Sequence, residues 1–253
     1  MAKARFIYNN LWRIGTPLTA SPIADPQHPL TDTQIDTLSM YFKASAATTP
    51  CTIPMNLGAG AGAIDFVTIL GHNIDSDATI TIEGADNAAF DSGLVSRTLT
   101  YNAVNIFEFF TAFTKQYVRI KLVSGNGNFS AAPQVATILC GNYEEFNCNF
   151  DWKYLEGDID PSEISYSDSM VVFAQEKDEI FRGEYLFASL NDTYATKAKE
   201  LNTLCGIHKA FVICFDSANA NTQSRWVRLL SISQPKHIFH DIWSWSCPIE
   251  EIK

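Results

Sequence analysis

The chain has 253 residues, 46% of them hydrophobic, which is enough for one large β-rich domain or two smaller ones. Only 18% are charged, and the net charge of -10, with no compensating Lys/Arg run, excludes a partner with a phosphate backbone. Apolar stretches such as "AFVICF" fall far short of the roughly 20 residues needed to cross a bilayer, so membrane insertion is excluded as well.

The opening "MAKARFIYNNLWRIGTP" has two early basic residues but no apolar core and no small-residue cleavage site, and predicts no secretory signal. Six of the ten prolines, Pro17, Pro22, Pro26, Pro29, Pro50 and Pro54, lie in the first 60 residues. Proline fixes φ and lacks a backbone donor, so this region is expected to be an extended arm rather than the interior of a sheet. Within it "TDTQIDTL" suits one helical turn or a short strand. "NLGAGAGAID" (56–65) is a flexible connection. Its glycines are not followed by the lysine of a phosphate loop, and a strand rather than a helix comes next.

From residue 64 the hydrophobic period becomes two. "IDFVTIL", "ATITIEG", "VNIFEFF", "YVRIKLV" and "QVATILCG" read as strands separated by Gly, Asn, Asp and Ser clusters. In "YVRIKLV", Val118, Ile120 and Leu122 face inward while Arg119 and Lys121 face out. Several short strands without intervening helices predict an antiparallel sandwich. The first of these strands ends on Gly71-His72-Asn73, as a sandwich corner would. Gly71 tolerates positive φ, Asn73 and Asp75 can bond the turn backbone, and His72 can donate or accept locally. No nucleophile motif accompanies His72, so a corner role is favoured, with ligand contact by His72 and Asn73 as the alternative.

Near residue 142 the texture becomes acidic and aromatic, and a domain boundary is placed there. Asp151, Glu156, Asp158, Asp160 and Glu163 invite a calcium reading, but Gly157 precedes Asp158 and Asp160 instead of following them, so a solvated linker is preferred. Strands follow at "SMVVFAQ" and "IFRGEYLFASL". Next comes a helix at about 193–205, with Ala195, Ala198, Leu201, Leu204 and Cys205 at helical spacing, a cap among Asn191, Asp192 and Thr193, and Gly206 at its end. "KAFVICFD", "RWVRLLSIS" and "HIFHDIWSWSC" complete the chain as strands. His237 and His240 would then lie on opposite strand faces, which disfavours zinc. Trp226, Phe239, Trp243 and Trp245 form a closing-strand aromatic group. Core packing or a subunit interface is preferred over a sugar-stacking surface. The six cysteines, Cys51, Cys140, Cys148, Cys205, Cys214 and Cys247, have no C-x-x-C spacing and are expected to be free thiols, several of them in strands.

"NNLWRIGTPLTAS", "VTILGHNIDSDATITIEG", "YVRIKLV" and "ATILCGNY" together resemble the discoidin-like, galactose-binding-like jelly roll, in particular the copies carried by bacteriophage tail and virion proteins. The most specific piece is "ILGHN" at 69–73. The second half, with "FRGEYLFASL" and "LNTLCGIH", is similar to the sandwich-plus-helix modules of distal-tail proteins. The expectation is therefore a mainly β protein, with a jelly roll and N-terminal arm at 1–145 and a β-sandwich or barrel with one helix at 146–253. The resemblance implies a non-enzymatic virion component of the tail tip or baseplate, assembled in the host cytoplasm and acting through contacts with copies of itself and other tail proteins. Its interface or ligand contacts would come from Trp226, Trp243, Trp245, His72 and Asn73, with no cofactor, metal or catalytic residue. Two alternatives stand beside it: a carbohydrate-binding module that contacts a host-surface glycan, and a glycan hydrolase using carboxylates from 151–163.

Overall fold

The computed structural model describes residues 3–151, 155–166 and 172–252. Among the described residues, three larger antiparallel sheets and one long helix stack as four layers, and a fourth sheet is a two-stranded ribbon. The outermost sheet has five strands in the order Thr16–Pro17, Cys51–Asn56, Tyr117–Val123, Thr79–Ala85, Val95–Leu99. The second has four, ordered Phe42–Lys43, Gln134–Gly141, Ile64–His72, Asn105–Phe113. Ile53, Ile82, Ile120 and Leu122 of the first meet Val67, Ile69, Ile106 and Ile138 of the second in a fully buried core. This is the expected antiparallel sandwich.

A third, eight-stranded sheet lies behind the four-stranded one. Its order is Glu144–Glu145, Arg5–Ile7, Phe211–Cys214, Ser224–Leu229, Ile242–Glu251, Ile180–Leu190, Leu155–Ile159, and Lys236–Phe239 also pairs with Ile242–Glu251. Its far face carries Phe6, Phe187, Phe211, Trp245 and Ile249, covered by Ala198, Leu201 and Cys205 of the helix Asp192–Cys205. Asn191 caps that helix by accepting the Tyr194 amide at 3.1 Å, and Gly206 ends it at φ 55°. Its near face contributes Ile7, Val212 and Trp226, which pack on Phe66, Leu70, Phe107 and Leu139 of the four-stranded sheet.

That second interface explains a difference between strands. Tyr117–Val123 alternates between buried and half-buried, as a strand with one wet face must. Gln134–Gly141 is buried at every position after the first, because its sheet has a core on both sides.

Three expectations are corrected. The strand Arg5–Ile7 belongs to the third sheet, pairing with Phe211–Cys214 and Glu144–Glu145, so a division at residue 145 cuts through a sheet. The proline-rich segment is not a free arm: Cys51–Asn56 is a sheet-interior strand between Thr16–Pro17 and Tyr117–Val123. Pro54 fits there because its position asks for an acceptor, and its carbonyl takes the Leu18 amide at 3.1 Å. The stretch before it is strapped down by Gln34, whose Nε2 donates to the carbonyls of Gly15 and Trp12 at 2.8 and 2.9 Å. Finally, "HIFHDIWSWSC" is a hairpin rather than one strand, turning at Asp241 with φ 57°. The "SMVVFAQ" strand lies partly outside the described residues; Val172–Gln175 pairs with Glu163–Tyr166.

Candidate functional site

His72 closes its strand as a corner. Its Nδ1 accepts the Ile74 amide at 3.3 Å, which leaves Nε2 to donate to the Asn102 carbonyl at 3.0 Å. Burial holds its pKa below the ordinary value, only partly offset by the Asn102 bond, so the ring is neutral. Asn73 is spent on the neighbouring loop: Oδ1 accepts the Gln134 amide at 2.7 Å, and Nδ2 donates to the Ala132 carbonyl at 3.0 Å. Gly71 sits at φ 59°, where a Cβ would lie 2.9 Å from that of Ala136.

The closing-strand tryptophans separate. Trp245 is a core residue stacked on Phe187 at 5.7 Å, with its N–H on the Ser233 carbonyl at 2.8 Å. Trp243 is boxed in by His237 at 4.8 Å and Lys199 at 4.7 Å, and donates to Asp192 at 2.6 Å. His240 sits on the exposed turn beside Asp241 at 2.8 Å. Among the described residues no group of three or more metal-binding side chains comes together. The cysteines are unpaired, and burial pushes the thiols of Cys51, Cys140 and Cys205 up to about 12.

Glu156, Asp158 and Glu184 line a groove of about 350 Å³ at the edge of the third sheet. Glu156 accepts the Tyr185 hydroxyl and Glu184 the Ser246 hydroxyl, each at 2.9 Å, while Arg182 in the same groove is engaged by Glu250. A general acid needs a raised pKa. Asp160 is held low by Ser162, and Glu163 by Lys177.

A different feature has the character of a binding site. Where the third sheet packs on the four-stranded one, two adjoining cavities open between the 100–108 segment and the turn Ser217–Thr222. They measure about 250 and 220 Å³ and share Phe107 and Asn221. Their walls are mostly uncharged hydrogen-bonding groups: Thr100, Ser217, Asn219 and Thr222 in one, Asn102, Asn105 and Ser224 in the other. Trp226 lines the second and is 3% exposed; its indole N–H is buried and has no partner among the described residues. Two bonds tie the walls together. Asn221 Oδ1 accepts the Phe107 amide at 2.7 Å, and its carbonyl accepts Asn102 Nδ2 at 3.4 Å. His72 thus supports this cleft from behind by holding the Asn102 carbonyl.

Of the residues singled out from sequence, Trp226 lines the cleft directly and His72 acts through Asn102; Asn73, Trp243 and Trp245 lie elsewhere. Asn102, Phe107 and Asn221 were missed. The run "SANANTQS" (217–224) is the one signal that could have drawn attention, because so many small amides and hydroxyls between two strands exceed what a turn requires.

No family model matches the chain, and no curated protein does. Solved structures do match. Chitosan-binding module 1 of a chitosanase/glucanase from Paenibacillus sp. IK-5 is 19% identical, with a TM-score of 0.43 over 53% of this chain and 99% of that module. Module 2 of the same enzyme, in complex with chitotriose, is 15% identical, with a TM-score of 0.42 over 53% and 100%. The CBM32 of AlyQ, in complex with 4,5-unsaturated mannuronic acid, is 19% identical, with a TM-score of 0.36 over 50% and 96%. At these scores the likeness decides neither ligand nor site, and the sandwich rests on its own strand order.

Proposed function

We propose that this is a non-catalytic carbohydrate-binding protein that takes a hydroxyl-rich glycan into the cleft between the four-stranded and eight-stranded sheets. The observation that carries the reading is a cleft walled by amides and hydroxyls and lined by Trp226, whose buried indole N–H has no partner among the described residues. Leaving such a donor unsatisfied costs about 1–3 kcal/mol, so a side-chain shift on binding that brings a ligand hydroxyl to it is favoured by a comparable amount. Neutral amides and hydroxyls suit a sugar because they exchange hydrogen bonds with it without the desolvation cost of a charge.

Calorimetric titration with neutral oligosaccharides tests this. Trp226→Phe replaces the indole with a smaller phenyl ring and removes the N–H; it is expected to weaken binding about tenfold or more and, because Trp226 is buried in a core, to lower the melting temperature as well, so binding is read well below the variant's own unfolding transition. Unchanged affinity in that variant, or no binding across the neutral panel, overturns the reading.

Assembly through subunit interfaces, as a structural component of a virion, is the second reading. It is favoured by the hairpin tip, where Ile238, Phe239 and Ile242 are 56%, 71% and 38% exposed. Light scattering on the protein and on Phe239→Ser decides it: a parent that is monomeric at high concentration removes its support.

A further inference from the structure

We infer that the cleft is a two-subsite groove and that its ligand is an uncharged glycan chain of at least two sugar units. This rests on the carbohydrate reading above and deepens it. Ligand pockets typically begin at about 300 Å³. The cavities, about 250 and 220 Å³, each fall below that bound, and together they exceed it. They adjoin at the shared Phe107 and Asn221, so neighbouring units of one ligand can seat on either side of that pair.

The junction is equipped to hold the middle of such a chain. The side-chain oxygen of Asn221 is committed to the Phe107 amide and its backbone carbonyl to Asn102. Its Nδ2 has no partner among the described residues and remains a donor on a residue that lines both cavities. Each side repeats the same chemistry. The first cavity is lined by Thr100, Ser217, Asn219 and Thr222, and the second by Asn102, Asn105 and Ser224. A ligand built of like, hydroxyl-bearing units meets both sets.

Charge narrows the class further. Glu108 lies in the first cavity and Glu251 in the second, against the single cation Arg225 among the lining residues. Arg225 already donates through Nη1 to the carbonyls of Thr222 and Ser224, at 3.3 and 3.4 Å. The groove therefore carries a net negative charge inside a chain of net charge -10, and uronate-bearing or sulfated glycans are repelled.

The test is a chain-length series read by calorimetry, using the neutral mono-, di- and trisaccharides of one glucose-type and one N-acetylglucosamine-type polymer, with an oligo-uronate as the charged arm. Affinity is expected to rise about tenfold or more from mono- to disaccharide, with the oligo-uronate weakest. Two variants fill one cavity each from exposed positions: Ala218→Phe the first and Val104→Trp, at a residue 72% exposed, the second. Each is expected to bring disaccharide affinity down to the monosaccharide level, with circular dichroism and melting temperature confirming the fold. If the monosaccharide binds as tightly as the disaccharide, or if filling one cavity changes nothing, the two-subsite inference is overturned while the carbohydrate reading stands. If the oligo-uronate binds more tightly than the neutral chains, the charge assignment is overturned. If no neutral sugar binds at any length, both readings fall together.

Discussion

Leu139→Ala probes the buried interface between the four-stranded and eight-stranded sheets. Leu139 is 1% exposed and sits in the strand Gln134–Gly141, among Phe66, Leu70 and Phe107 of its own sheet and Ile7, Val212 and Trp226 of the third sheet. Truncation removes three carbons. At about 0.8 kcal/mol per buried CH₂ the transfer loss alone is roughly 2.4 kcal/mol. Packed sheets on both sides limit relaxation, so a cavity contribution follows and the total is expected at about 3–5 kcal/mol. The cavity lies where both halves meet, and Arg5–Ile7, from the start of the chain, is a strand of the far sheet. Both halves should therefore lose stability together. Urea unfolding followed by far-ultraviolet circular dichroism and by tryptophan fluorescence reads this, because Trp12 lies in the sandwich core and Trp245 in the sheet–helix core. One coincident transition is expected in the parent, displaced in the variant by about 1–2 M urea at unchanged slope. Two separated transitions in the parent, or a variant that shifts only one probe, would refute the reasoning and restore two independent domains.

Gly71→Ala places a side chain at φ 59° and a Cβ 2.9 Å from that of Ala136; a loss of about 1–3 kcal/mol is expected, read as a lowered melting temperature. Glu250 is 4% exposed and is gripped by Arg182 and Arg228, Nε of the first at 2.6 Å and Nη2 of the second at 2.8 Å. Burial disfavours its charge, but the two arginines outweigh that and hold its pKa below the ordinary value. A depressed carboxylate contributes stability above its unfolded pKa and loses it as pH falls through the folded one. Glu250→Gln should therefore cost about 1–3 kcal/mol at neutral pH, moderated because both arginines are partly solvated. The difference from the parent should close as denaturation is repeated toward about pH 3; a gap that stays constant across that range would show that the carboxylate's charge plays no part.

Local patterns carried far where the local environment and the final one agree. "YVRIKLV" alternates because that strand has one core face and one wet face, and the observed strand keeps the predicted bounds. Asn191, the apolar spacing of the helix and Gly206 announce a helix whose ends are chemically marked. The Gly71-His72-Asn73 corner was legible because glycine, histidine and asparagine satisfy a turn with their own short-range bonds. The prolines misled because a proline forbids donation, not pairing; Pro54 occupies a position that needs only its carbonyl. The core reading of the tryptophans agrees with Trp226 and Trp245, but period two could not say which core each would enter, because aromatic residues at that spacing look alike on either face of a sheet. Here Trp245 and Trp226 fall in two different cores, on opposite sides of one sheet. The cleft was the least legible of all. Its walls come from segments more than a hundred residues apart, joined by hydrogen bonds such as Phe107 to Asn221 that leave no periodicity in the chain.

By itself, then, the order of residues determined the β class, most strand positions, the capped helix and the histidine corner, because each depends on side chains within a few positions of one another. Only the tertiary structure decided that Arg5–Ile7 crosses to the far sheet, that the four-stranded sheet is buried on both faces, and that Asn221 and Trp226 come to face Thr100 and Asn102 across a polar cleft. Those outcomes follow from which sheet faces bury against one another, a choice made by long-range packing that no local pattern encodes.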